Sequence, residues 1–138
     1  MIRKIVAVVL GAVVAMILIV AIEALGHSVY PLPANLDITD SDAMQAYVMS
    51  APVGALLSVL AAWLVATLVG GLVACFVARE APLKNSAIVG GLVLLGTIIN
   101  LVSIPHPPWF SATSIVAIIG TIFVTSRLGS AFEATRES

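Results

Sequence analysis

All six basic residues of this 138-residue chain, Arg3, Lys4, Arg79, Lys84, Arg127 and Arg136, fall in alternate gaps between four long apolar segments. Basic residues are kept on the cytoplasmic side of a bilayer. The alternation therefore predicts both termini and the middle connection inside, with the first and third connections outside. The expected fold is all-α: a four-transmembrane-helix bundle, N-in/C-in, forming a single integral membrane domain over 1–138. A chain that is 61% hydrophobic and 9% charged could not hide that surface in a water-soluble fold of this size.

The helices are predicted at about 5–28, 52–78, 86–104 and 109–126, with an outer loop over 30–51 and a cytoplasmic tail over 127–138. The first segment follows a basic pair, as a secretory signal would. Its apolar run exceeds the roughly 7–15 residues of a signal h-region, so it reads as an uncleaved helix. Pro52 is well placed for the first turn of the second helix. Only Pro105-His106-Pro107-Pro108 separates the third and fourth helices, which forces an antiparallel hairpin.

In the outer loop, Tyr30-Pro31-Leu32-Pro33 must be extended, because proline lacks a donor and disfavours helix in the residue before it. Thr39-Asp40-Ser41-Asp42 offers N-cap candidates ahead of Ala43, Met44, Tyr47, Val48 and Ala51 at helical spacing. This predicts a short amphipathic helix in the outer loop between helices 1 and 2, lying on the interface. Asp37, Asp40 and Asp42 lack the ligand spacing and central glycine of an EF-hand loop, so they read as capping and solvation groups. Tyr30, Tyr47, Trp109 and Phe110 fall at the outer level, where aromatic rings favour the interface. Trp63 falls near mid-membrane, where its indole N–H needs a partner helix or a cavity.

Small residues recur every four positions: Ala7, Gly11 and Ala15; Ser58 through Ala62, Ala66, Gly70 and Ala74 to Ala78; and Thr113, Ala117, Thr121 and Thr125. Gly90, Gly91 and Gly96 notch the third helix. Lipid gives helices no hydrophobic reason to associate, so such ridges act by letting backbones approach.

The ridge on the first helix continues at the same spacing through Ile19 to Glu23 and His27, which should turn both toward the bundle. Topology brings Asn100 and His106 to the same depth, with Ser103, Ser111, Thr113 and Ser114 around them. Ionisable groups in a spanning segment are expensive and point to function. Three readings fit the cluster Glu23, His27, Asn100 and His106. It is a hydrogen-bonded knot fixing the outer helix ends, a proton-responsive or substrate-binding site, or a metal site of Glu23, His27 and His106 suited to Zn²⁺ or Cu²⁺.

Other classes find no support. A formal net charge of −1 with no basic stripe argues against a nucleic-acid partner. Cys75 is the lone cysteine, lies in an apolar segment and reads as a packing thiol. No nucleophile with an adjacent base, glycine-rich phosphate loop or HExxH arrangement is present.

The strings Glu23-Ala24-Leu25-Gly26-His27-Ser28-Val29-Tyr30-Pro31-Leu32-Pro33 and Ile104-Pro105-His106-Pro107-Pro108-Trp109-Phe110 resemble those of a group of small bacterial four-helix membrane proteins described as hypothetical. That resemblance implies a bacterial inner membrane and carries no activity. The expected protein is a small binding, assembly or accessory protein with a polar site near the periplasmic face. It would be in contact with membrane lipid and either with further copies of itself or with a partner membrane protein. A small oligomeric transporter or channel is the alternative, and a metal-dependent membrane enzyme the third.

Overall fold

The computed structural model describes residues 2–137. It consists of five helices: α1 (Ile2–Val29), α2 (Ser41–Ser50), α3 (Val53–Ala78), α4 (Pro82–Ser103) and α5 (Pro108–Glu137). No strand occurs among the described residues. Four of the helices, α1, α3, α4 and α5, are long and apolar enough to cross a membrane. The 28 residues of α1 extend about 40 Å, more than the roughly 30 Å of a hydrocarbon core. The chain is a small multi-pass membrane protein.

α3 is the central helix. Half of its membrane-length stretch is buried inside the protein, against 17% for α1. α1 runs antiparallel along it, and the pairing is set by side chains too small to hold the backbones apart. Ala7, Gly11 and Ala15 supply the whole buried face of α1. Opposite them Ala62, Ala66, Gly70, Ala74 and Ala78 are all buried on α3. At the crossing the two glycines face each other. A Cβ on Gly11 would stand 2.5 Å from the Gly70 carbonyl oxygen, and one on Gly70 would stand 2.6 Å from that of Gly11. Either would clash with main chain, which has no rotamer to escape into. The gain is dispersion contact along both backbones, the attraction still available where lipid replaces water.

α4 and α5 form the hairpin expected from their short link and pack on the other sides of α3. Two boundaries differ from the sequence reading. α4 begins at Pro82 rather than 86, because proline suits the first turn and Asn85 Nδ2 binds back to the carbonyls of Glu80 at 2.6 Å and Ala81 at 3.2 Å. The segment expected as a tail from 127 is helix through Glu137, position 138 lying outside the described residues. It stays helical because it has something to pack on: Gly129 sits against Cys75, and the Phe132 ring meets Phe76 edge-on at 4.8 Å.

The small ridge expected on the fourth helix is also displaced. Thr113 is exposed and Ala117 half-buried, while Phe110, Ser114 and Ile118 are fully buried. Large side chains therefore pack the upper half of α5, with Thr125 and Gly129 taking over lower down. On α4 the notch is Gly90, against Ile122. Gly91 and Gly96 face open space.

At the end of the bundle that holds the basic residues, the Arg3 guanidinium binds the Ala78 carbonyl, its Nε at 3.1 Å. A cation thus satisfies the last turn of α3. Arg79 then turns the chain in the left-handed region, at φ 58°. Lys4 and Glu80 pair at 3.3 Å, but both side chains are half-exposed and the pair contributes little.

Gly70→Ala is expected to lower the thermal midpoint in detergent, by about 1–3 kcal/mol in stability, because main chain must move. Gly96→Ala, where the added methyl meets nothing, should be neutral or slightly stabilising through helix propensity. Equal midpoints for the two variants would refute the close α1–α3 crossing.

Candidate functional site: a polar pocket beneath α2

At the opposite end, the last turns of α1, the first turns of α3, the end of α4 and the 104–107 link surround a pocket of about 270 Å³. Glu23, His27, Asn100 and His106 all line it. The four come from three separate stretches of sequence, and their convergence is a tertiary event.

α2 roofs this pocket. Asp40 caps the helix, its Oδ1 accepting from the amides of Asp42 at 2.9 Å and Ala43 at 3.3 Å. Met44, Tyr47 and Val48 then point down into the pocket. The α2 backbone stays more than 8 Å, Cα to Cα, from each long helix, so side chains alone hold it. The connection leading to it is braced on the bundle: Tyr30 lies so close over Gly54 that a Cβ there would overlap its phenol.

Glu23 is half-buried, one turn before His27. The Trp63 indole lies near enough to act on its carboxyl, and Trp63 itself is only 5% exposed. A tryptophan near mid-membrane thus has an acid of the neighbouring helix beside it. The His27 imidazole attracts the same carboxyl from beyond ion-pair distance. His27 is exposed rather than turned inward, because at this level the α1 residue that faces α3 is Gly26, packed on Ser58. Asn100 is likewise exposed at the pocket wall.

His106 is half-buried and held at two points. Its Nδ1–H donates to the Ile104 carbonyl at 2.5 Å, which leaves Nε2 as the acceptor of the neutral ring. Its face stacks on Phe110 at 5.2 Å with planes 19° apart. Burial pushes the imidazole pKa below its ordinary 6.5, partly offset by the Ile104 carbonyl.

Phe110 is central in a way the sequence reading did not anticipate. Placed by sequence among interfacial aromatics, it is fully buried and touches three rings: His106, Trp109 at 5.8 Å and Trp63 at 5.7 Å. A continuous path of contacts thus joins Glu23 to His106 through Trp63 and Phe110. The unsatisfied donor of Trp63 was the sequence signal for one half of that path. For Phe110 no signal existed, since a ring one turn into a helix looks the same whether it meets lipid or core.

No hydrogen bond joins any two of the four polar residues among the described residues. Nor do Glu23, His27 and His106 gather as metal ligands: no group of three His, Cys, Asp or Glu side chains among the described residues is placed to hold an ion. His106 is held instead by its bond to the Ile104 carbonyl. The loop aspartates are spent on local turns, Asp37 accepting from the Thr39 amide at 2.9 Å and hydroxyl at 2.6 Å. Those two donors hold the exposed Asp37 carboxyl below its ordinary pKa.

A histidine with a depressed native pKa stabilises the fold while neutral, and that contribution is lost as pH falls from 6.5 through the depressed value. The thermal midpoint of the wild type should therefore drop more between pH 7 and pH 5 than that of His106→Phe, which retains the ring stack. Parallel curves for the two proteins would show that His106 is not the buried neutral base described here.

Comparison of the chain with described protein families, with curated proteins and with solved structures finds no match, so the chemistry of this pocket rests on its own residues.

Proposed function

We propose that this protein is a binding protein of the bacterial inner membrane, N-in and C-in, whose pocket beneath α2 receives a polar group at the periplasmic face. The carrying observation is that four hydrogen-bonding side chains line one pocket without bonding one another. A structural knot would have bonded those groups to one another; here His106 is bonded only through Nδ1 to Ile104, which leaves its Nε2 for a ligand. The clustering of Arg3, Lys4, Glu80 and Lys84 at the far end supports the orientation, since positive charge stays inside. Asp37, Asp40 and Asp42, with no basic residue among them, fit α2 as an amphipathic helix on the outer interface. The inner-membrane assignment draws on the resemblance of the two strings quoted above.

The other half of the bundle favours binding over passage. Below Trp63 the α1–α3 seam is alanine and glycine. The hydroxyls of Thr67, Thr121 and Thr125 fold back onto their own helices, donating to the carbonyls of Trp63, Ala117 and Thr121 at 2.7–2.8 Å. No polar path continues from the pocket among these groups. The partner is a membrane component: a lipid-soluble ligand, a second copy or another membrane protein.

Two measurements test this reading. With Cys75→Ala as background, an impermeant maleimide should label Asp37→Cys in intact cells and Lys84→Cys only after lysis; the reverse pattern overturns the orientation. Native mass spectrometry of protein released directly from membrane vesicles should find a bound mass that Ala55→Phe, filling the pocket, removes without lowering the thermal midpoint. A wild type without any bound mass would count against the pocket as a binding site.

A further inference from the structure

A second cavity of about 460 Å³ adjoins the first, between α1 and α4. It lies on the Ala15–Glu23 side of the point where Gly11 of α1 meets Val89 of α4. Its walls are apolar, with Ala12 and Met16 on one side and Leu92 and Gly96 on the other. Met16 and Leu92 are exposed at its edge, on the surface that hydrocarbon would cover, so the cleft opens sideways into the bilayer. Glu23 and Asn100 border both this cleft and the pocket beneath α2. An apolar slot entered from lipid thus ends at an acid.

Charge narrows the class of that group. No lysine or arginine lines either cavity, so the chain brings no strong cation to Glu23. A phosphate or carboxylate placed there would be repelled by the acid, with only the exposed His27 imidazole of the adjoining pocket, beyond ion-pair distance, to offset it. A cation carried in by the ligand would be paired. The volume falls within the roughly 300–1,000 Å³ of small-molecule sites.

We infer that the cleft binds a free single-chain alkylamine, its tail between α1 and α4 and its ammonium at Glu23, with the Asn100 amide oxygen beside it. This rests on the reading of the pocket as a binding site and names its ligand class. A phospholipid is disfavoured because its phosphate would accompany the amine to the same acid.

The test uses the full chain in phosphatidylcholine nanodiscs with Trp109→Phe, which leaves Trp63 at the head of the cleft as sole fluorophore. The probes are 6,7-dibromododecylamine, 6,7-dibromododecanoic acid and 6,7-dibromododecanol, whose bromines lie mid-chain and so within reach of Trp63 when the headgroup is at Glu23. Saturable quenching of Trp63 is expected from the amine at concentrations at least ten-fold below those needed with the other two. Glu23→Gln should abolish that preference. Gly96→Leu, which fills the cleft at a position facing open space, should remove saturable quenching at an unchanged thermal midpoint. Equal quenching by the three probes, or an amine preference that survives Gly96→Leu, overturns the inference. Should Glu23→Gln fail to fold, the three-probe comparison and Gly96→Leu decide the matter. Loss of the native bound mass in Ala55→Phe without any amine preference overturns this inference and leaves the pocket standing. Amine preference with a bound mass indifferent to Ala55→Phe overturns the pocket alone.

Discussion

The backbone contact of α1 with α3 at Gly11 and Gly70 is the constraint on which the rest of the structure depends. In a bilayer, apolar side chains gain nothing by leaving lipid for protein, so helices adhere where their atoms approach most closely. An unbroken run of alanine and glycine on α3 offers that approach over most of its length. Once α1 is committed to this seam its rotation is set. The same face that buries Ala7 and Ala15 carries Glu23 round to Trp63.

Two consequences follow from that commitment. The small face of α1 is spent mainly on α3, and beyond its contact with Val89 of α4 it leaves a cleft between the two helices. Near the end of α1 it is Gly26 that meets α3, against Ser58, and His27 emerges at the pocket wall instead of being enclosed. The polar end of the molecule is looser. Its roof, α2, touches the bundle through Met44, Tyr47 and Val48 without backbone contact, and rings rather than a hydrogen-bond network connect its walls. Rigid scaffold at one end and side-chain-held cover at the other is the division expected where binding groups must be reached.

Much of this was legible in residue order where the cause is local. Hydropathy marks four long helices, Asp40 is among the caps that the Thr39–Asp42 run offers, and the ridges on α1 and α3 are buried as their spacing predicts. Legibility failed where burial depends on a neighbour. Thr113 and Ala117 repeat at the same interval as Gly11 and Ala15, yet α5 turns Phe110, Ser114 and Ile118 inward, because α3 beside it presents Trp63, a ring that needs a ring. The segment after 126 looks like a polar tail until Phe76 and Cys75 give Phe132 and Gly129 a surface. The candidate site was half visible: depth along each helix can be counted, and Glu23, His27, Asn100 and His106 do share a level, but the absence of bonds among them cannot be counted.

The amino-acid order by itself determined that this chain has four apolar helices long enough to span a bilayer, joined by short proline-marked or capped turns. Those outcomes depend on the transfer free energy and hydrogen-bonding capacity of residues near one another in sequence. Tertiary structure alone decided that Glu23 would meet Trp63, that Phe110 would be core, and that α1 and α4 would part around Thr97. Those outcomes depend on how closely two backbones approach and at what rotation, and such a quantity belongs to pairs of helices rather than to either one.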